Sequence, residues 1–125
     1  MTTSPSPGGA VVLDFVPRAQ LAAMHEPAAA TQDELAAVRR LIAIAKTDSG
    51  QGNHAANFLL AWWNASECRG FDLTEIWAVD ASIVSDMLIV FGMIGRVQEY
   101  PTDLDPTLDP DFRAIVRRWW PELAD

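Results

Sequence analysis

One cysteine, two histidines and the lack of any long apolar run set the first limits on this sequence. With Cys68 alone, no internal disulfide can form, and an unpaired thiol suits a reducing compartment. A metal site needs three or four His, Cys, Asp or Glu ligands at workable spacing. His25 lies in the N-terminal stretch, and nothing local supplies a third ligand beside His54 and Cys68. Neither a metal nor a cofactor is therefore expected. A phosphate-binding loop is missing as well, since Ser49-Gly50-Gln51-Gly52 lacks the lysine and the six-residue frame such a loop requires. The longest late apolar stretch, Met87 to Ile94, falls far short of the ~20 residues that cross a bilayer. No Lys or Arg precedes Arg18, and Asp14 interrupts the short apolar stretch Ala10 to Val16, so a secretory signal is not expected. The expected location is the cytoplasm.

Positive charge is in the minority. Nine Lys and Arg stand against 17 Asp and Glu, a formal net charge of −8. Residues 1–68 hold six acids and four bases, whereas residues 69–125 hold eleven acids and five bases, so most of the excess lies in the C-terminal half. Phosphate backbones repel such a surface, which argues against direct nucleic-acid binding. Such a surface suits solubility, the commoner reading, or a basic protein partner that itself normally meets nucleic acid.

What the sequence has in quantity is apolar side chain, 50% of its residues. At 125 residues that is enough for one hydrophobic core without disulfide or metal. The expected fold is all-α: a compact single-domain bundle of four to five helices. Residues 1–30, rich in Ser, Pro, Gly and Ala without sustained periodicity, are expected to form a flexible or loosely docked tail. Residues 31–125 form the domain.

The first helix is expected from about Gln32 to Lys46. Thr31 and Glu34 have the spacing of a capping box, and Leu35, Val38, Leu41, Ile42 and Ala45 share a face. Asp48 to Gly52 reads as its stop. A second helix spans roughly Asn53 to Asn64, with His54, Phe58 and Trp62 four residues apart. Asp72 and Glu75 then cap a short helix stapled by Phe71 and Ile76, which breaks near Val79. Asp80 is placed to cap the next helix, about Ala81 to Arg96. From Met87 onward apolar residues occupy nearly its whole circumference, which predicts a central helix, with Gly92 and Gly95 compensated by close backbone packing. A loop from Tyr100 leads to Asp109-Pro110, a strong start for a last helix that Pro121 ends.

The segments Asn57-Phe58-Leu59-Leu60-Ala61-Trp62-Trp63-Asn64-Ala65, Gly70-Phe71-Asp72-Leu73 and Met87-Leu88-Ile89-Val90-Phe91-Gly92 carry a resemblance. The chain resembles a family of small uncharacterised proteobacterial proteins classed as a domain of unknown function, over about Lys46 to Pro121. Its signature residues are mostly apolar, so the resemblance implies a shared core and brings no catalytic residues. Families of this kind are often carried on mobile elements, which implies accessory functions such as inhibition of host defence.

Three constellations bear on chemistry. His54 and Cys68 would form a base and nucleophile if the fold joined them, with Arg69 and the following helix start to lower the thiol pKa. Asp103, Asp105, Asp109 and Asp111 mimic a calcium loop, but position six is Leu108 where the turn needs Gly, and position twelve is Ala114 where Glu belongs. A connector that caps the last helix, or an acidic docking surface, remains. Of the five tryptophans, Trp63 and Trp120 sit beside core-facing neighbours and are the ones expected to be partly exposed at an interface. Arg113, Arg117 and Arg118 form a strip too small for nucleic acid and are expected to pair with acids of the same chain.

The function expected from these features is a non-enzymatic protein–protein interaction module. Its most concrete form is an acidic, mobile-element-encoded inhibitor of a host defence system, comparable to anti-CRISPR or anti-restriction proteins. It would occupy a basic surface through Asp103, Asp105, Asp109, Asp111, Trp63 and Trp120. A homo-oligomeric subunit and a small enzyme using His54 and Cys68 are the alternatives.

Overall fold

Thr31 opens the first helix as its sequence requires. In the computed structural model, which describes residues 29–124, the Thr31 hydroxyl accepts the Glu34 N–H at 3.1 Å, and the Glu34 carboxylate accepts the Thr31 N–H at 2.9 Å. Two otherwise orphaned N–H groups are thereby satisfied. The tail expected over residues 1–30 lies, except for its last two residues, outside the described part of the chain.

Helix α1 (Gln32–Ala45) buries Ala37, Val38, Leu41, Ile42 and Ala45 along one stripe. It is followed by α2 (Gly50–Cys68), a 3₁₀ turn at Leu73–Ala78, α3 (Ala81–Val97), the single turn α4 (Pro101–Leu104), a 3₁₀ turn at Pro106–Leu108 and α5 (Asp109–Trp119). No strand occurs among the described residues. The fold is all-α, and its core is one cluster drawn from every long helix.

Helix α1 is the common seat. Helices α2, α3 and α5 all pack against it. Its apolar stripe faces Leu59 and Leu60 of α2, Met87, Val90 and Met93 of α3, and Phe112 and Ile115 of α5 within the same cluster. Its polar flanks reach the same neighbours. Arg40 holds the buried Asp86 of α3 through two bonds of 3.0 and 2.9 Å, and Arg96 of α3 donates to Glu34 at 2.8 Å. Arg39 pairs with Asp105 at 3.0 Å, and Lys46 pairs with Asp111. At the C-terminal end, the Trp119 indole N–H donates to the Ala45 carbonyl at 2.7 Å, satisfying an acceptor that the helix itself leaves free.

Several boundaries differ from those the sequence predicts. The expected stop at Asp48 to Gly52 is instead the start of α2: Ser49 is its N-cap and accepts the Gly52 N–H at 2.9 Å. This helix also runs past Asn64, which breaks the helical geometry (φ −163°, ψ 77°) without ending the element. Asp72 and Glu75 form the capping box as predicted, although the element they start is 3₁₀. Asp80 sits at the N-cap of α3 but makes no cap bond; its carboxylate accepts from Gln51 at 3.1 Å. The predicted cap at Asp109 lies inside α5, where its carboxylate accepts from Arg113 at 2.7 Å. The predicted loop after Tyr100 is largely helical turns.

The larger correction concerns α3. It is not the central helix: Leu88, Ile89 and Phe91 are exposed, and only Ile83, Asp86, Met87, Val90 and Met93 are buried. The apolar circumference outruns what a seat on α1 can cover. Nor are Gly92 and Gly95 compensated by close packing, since a Cβ built on either meets no described atom within 4 Å.

Gly52 is the glycine that close packing does require. A Cβ there would lie 2.5 Å from the Thr47 carbonyl oxygen and 2.8 Å from that of Ile44. Gly52→Ala is expected to destabilise the domain by about 1–3 kcal/mol through overpacking against backbone, read as a lower urea midpoint at unchanged slope. A second expectation concerns pH. The Arg96 guanidinium beside Glu34 holds its carboxyl at about 2, against an ordinary value of 4.5. A lowered folded-state pKa contributes stability that is fully present above the ordinary value and fades as pH falls through the lowered one. The difference in thermal midpoint between wild type and Glu34→Gln should be constant above about pH 5 and shrink between about pH 4.5 and 2. A difference that stays flat across that window contradicts the assignment.

Candidate functional site

The apolar residues that α3 leaves uncovered do not stand alone. The 3₁₀ turn at Leu73–Ala78 is fixed to α2 by Glu75, whose carboxylate meets His54 Nδ1 at 2.7 Å and accepts from Asn57 Nδ2 at 2.9 Å. Phe71 packs edge-on against Phe58 of α2, with ring centroids 5.3 Å apart. The turn is too short to bury both of its sides; Ile76 within it and Phe71 just before it pack against the core. Leu73 (77% exposed) and Trp77 (82%) face outward, as do Leu88 (61%) and Phe91 (66%) on α3.

Between the turn, α2 and α3 runs a groove of about 410 Å³ lined by Phe58, Trp62, Phe71, Leu73, Ile76, Met87, Leu88, Phe91 and Ile94, with Ala61 at its edge. No charged residue lines it. Exposed apolar surface that is contiguous and concave, rather than scattered, marks an interaction site. Across Ala61 and Trp62 it adjoins a second groove of about 540 Å³, lined by Trp63, Asn64, Ser66, Tyr100, Thr102 and Asp103. Trp62 is fixed as the divide between the two: its indole N–H donates to the Glu99 carbonyl at 2.9 Å, and its ring packs edge-on against the buried Phe112.

Two of the six candidate contact residues thus meet. Trp63 and Asp103 line the same groove, and among the described residues Asp103 is in no ion pair. The other aspartates have partners within the chain. Asp105 accepts the hydroxyl and N–H of Thr107 at 2.6 and 3.0 Å and the Arg39 guanidinium at 3.0 Å. The Thr107 hydroxyl, more than the Arg39 charge, holds its carboxyl below the usual range. Asp109 pairs with Arg113 and Asp111 with Lys46. Trp120 is half-buried under the Arg69 guanidinium, 5.1 Å from its ring centroid, and lines neither groove. The basic strip on α5 pairs as expected at two positions, Arg113 with Asp109 and Arg118 with Asp48 at 3.3 Å.

His54 and Cys68 are not brought together. They lie in opposite parts of α2, on either side of the break at Asn64. His54 is engaged by Glu75, and Cys68 is buried. Burial pushes the Cys68 thiol up, and the neighbouring Glu67 charge adds to this. Among the described residues no three His, Cys, Asp or Glu side chains are grouped to hold a metal ion, and no helix is long and apolar enough to cross a membrane.

The extent of the shared core places the chain among known proteins. The chain belongs to a family of unknown function, DUF7673, matched over residues 35–120. Comparison with curated proteins and with solved structures returns no match. The span matched to DUF7673 contains every residue that lines the two grooves. It leaves out the Thr31–Glu34 capping box.

Sequence reasoning missed Leu73, Trp77, Leu88 and Phe91. Their signal was a surplus: α3 and the turn before it carry more apolar residues than one seat can cover. For the thiol, labelling of Cys68 by a disulfide reagent at pH 8 is expected to be at least tenfold slower in the folded protein than in 6 M guanidinium. Equal rates would show that the thiol is open and reactive.

Proposed function

We propose that this protein is a non-enzymatic protein-interaction module that receives a cationic, amphipathic helix or peptide of another protein in its joined grooves. The carrying observation is the uncharged groove with Leu73, Leu88 and Phe91 exposed along it. An amphipathic helix laid into such a groove buries its apolar face at anchors spaced by three and four residues. Charge selects the occupant. The only charged residue lining either groove is Asp103, and the molecule as a whole carries −8. Basic flanks on the ligand therefore meet an attractive field everywhere and a specific carboxylate at one end. In its most specific form, the proposed partner is a basic surface of a host defence complex, and the module, carried on a mobile element, occludes it; the net charge supports this form. Because Asp105, Asp109 and Asp111 are engaged internally, its polar contact rests on Asp103 and its apolar contact on the groove.

A 14-residue helical peptide of leucine and lysine, followed by fluorescence anisotropy, tests the groove directly. Wild type is expected to bind it saturably, and Leu73→Asp or Phe91→Asp to weaken binding roughly tenfold or more, the effect of one lost anchor. Both positions are exposed, so the variants keep the fold. Asp103→Asn should weaken binding about two- to fivefold at low salt and have little effect at 0.5 M, where rim charges are screened. Absent saturable binding, or equal affinity in Phe91→Asp, rejects the groove.

A further inference from the structure

Beside the groove, α3 presents a second surface. From Ala81 to Gly95 the only charged residue is Asp86, and it is turned inward onto Arg40. In a chain with 21% charged residues and a net charge of −8, a helix face 15 residues long without one exposed charge is a distinct region of the surface. Leu88 and Ile89 stand exposed on it, with Ala81, Ser85, Gly92 and Gly95 exposed around them. Ala81, Ser85, Leu88, Gly92 and Gly95 follow one another at intervals of four, three, four and three residues, the spacing of a helix–helix seam.

We infer that this face docks against α3 of a second copy of the chain, as an antiparallel helix pair about a two-fold axis near Val90. Charge permits this occupant. Two copies, each at −8, repel wherever acids face acids, and the outward face of α3 offers contact with no like charge opposite. Shape selects it. A two-fold contact must be self-complementary, and in this register Leu88 of each copy falls opposite Gly92 of the other, with Ser85 opposite Gly95. The protruding side chain meets the position that lacks one. Within a single copy the glycines have no such use: Gly in a helix interior costs about 0.5–1 kcal/mol relative to Ala, and no described atom lies within 4 Å of a Cβ at either position. Close approach of a second helix gives them one. This surface does not depend on the groove reading, and Leu88 alone borders both.

Sedimentation of the full chain from about 5 to 200 µM tests the pairing. The expected result is a concentration-dependent rise toward twice 13.7 kDa. Gly92→Gln fills the notch without meeting anything inside its own copy, so helicity by circular dichroism should persist while dimer affinity falls at least tenfold. Leu88→Gln should act alike, and Leu73→Asp, on the far wall of the groove, should leave the dimer intact. Salt separates the two proposals: 0.5 M NaCl should strengthen the dimer by screening mutual repulsion, and weaken binding of the cationic peptide. A monomer at 200 µM overturns the inference, as does a dimer indifferent to both Gly92→Gln and Leu88→Gln.

Discussion

The packing of three helices onto α1 is the contact on which the rest of the structure depends. Val38, Leu41 and Ala45 are fully buried because α2, α3 and α5 converge on them, and α3 and α5 are also tied to α1 or its C-cap by polar groups. The division of labour follows from the chemistry. The apolar stripe supplies most of the cohesion, since burial scales with area and has no preferred direction. Orientation comes from the bidentate Arg40–Asp86 pair, the Arg96–Glu34 pair and the Trp119 indole on the Ala45 carbonyl. With its apolar stripe given over to three neighbours, α1 shows the solvent mainly polar side chains, and the large exposed apolar residues are displaced to other elements.

That displacement explains which features were legible in the sequence. Caps are local, and Thr31 with Glu34 and Asp72 with Glu75 were readable from spacing alone. The all-α class and the inner face of α1 followed from periodicity. The place of α3 did not, because an apolar circumference has two causes, burial on all sides or burial on one side with contact left open on the other. Only the position of α1 decides between them. The start of α2 was misread for a related reason: Gly50 and Gly52 look like a terminator locally, whereas Gly52 is demanded by carbonyls of the preceding turn. Among the candidate contact residues, Trp63 and Asp103 came together through α4, an element the sequence did not reveal.

The surface thus divides into two unlike territories. Acids outnumber bases 17 to 9, and several are paired in place with arginine or lysine, while Leu73, Leu88 and Phe91 gather along one groove without a charged residue. Charge of one sign lowers indiscriminate adhesion, and an uncharged sector concentrates association where it is useful.

Glu34 holds two posts at once. The same carboxylate closes the capping box of α1 and receives the guanidinium at the far end of α3. Unravelling the first turn of one helix therefore withdraws the anchor of the other, and the two ends open as one cooperative unit.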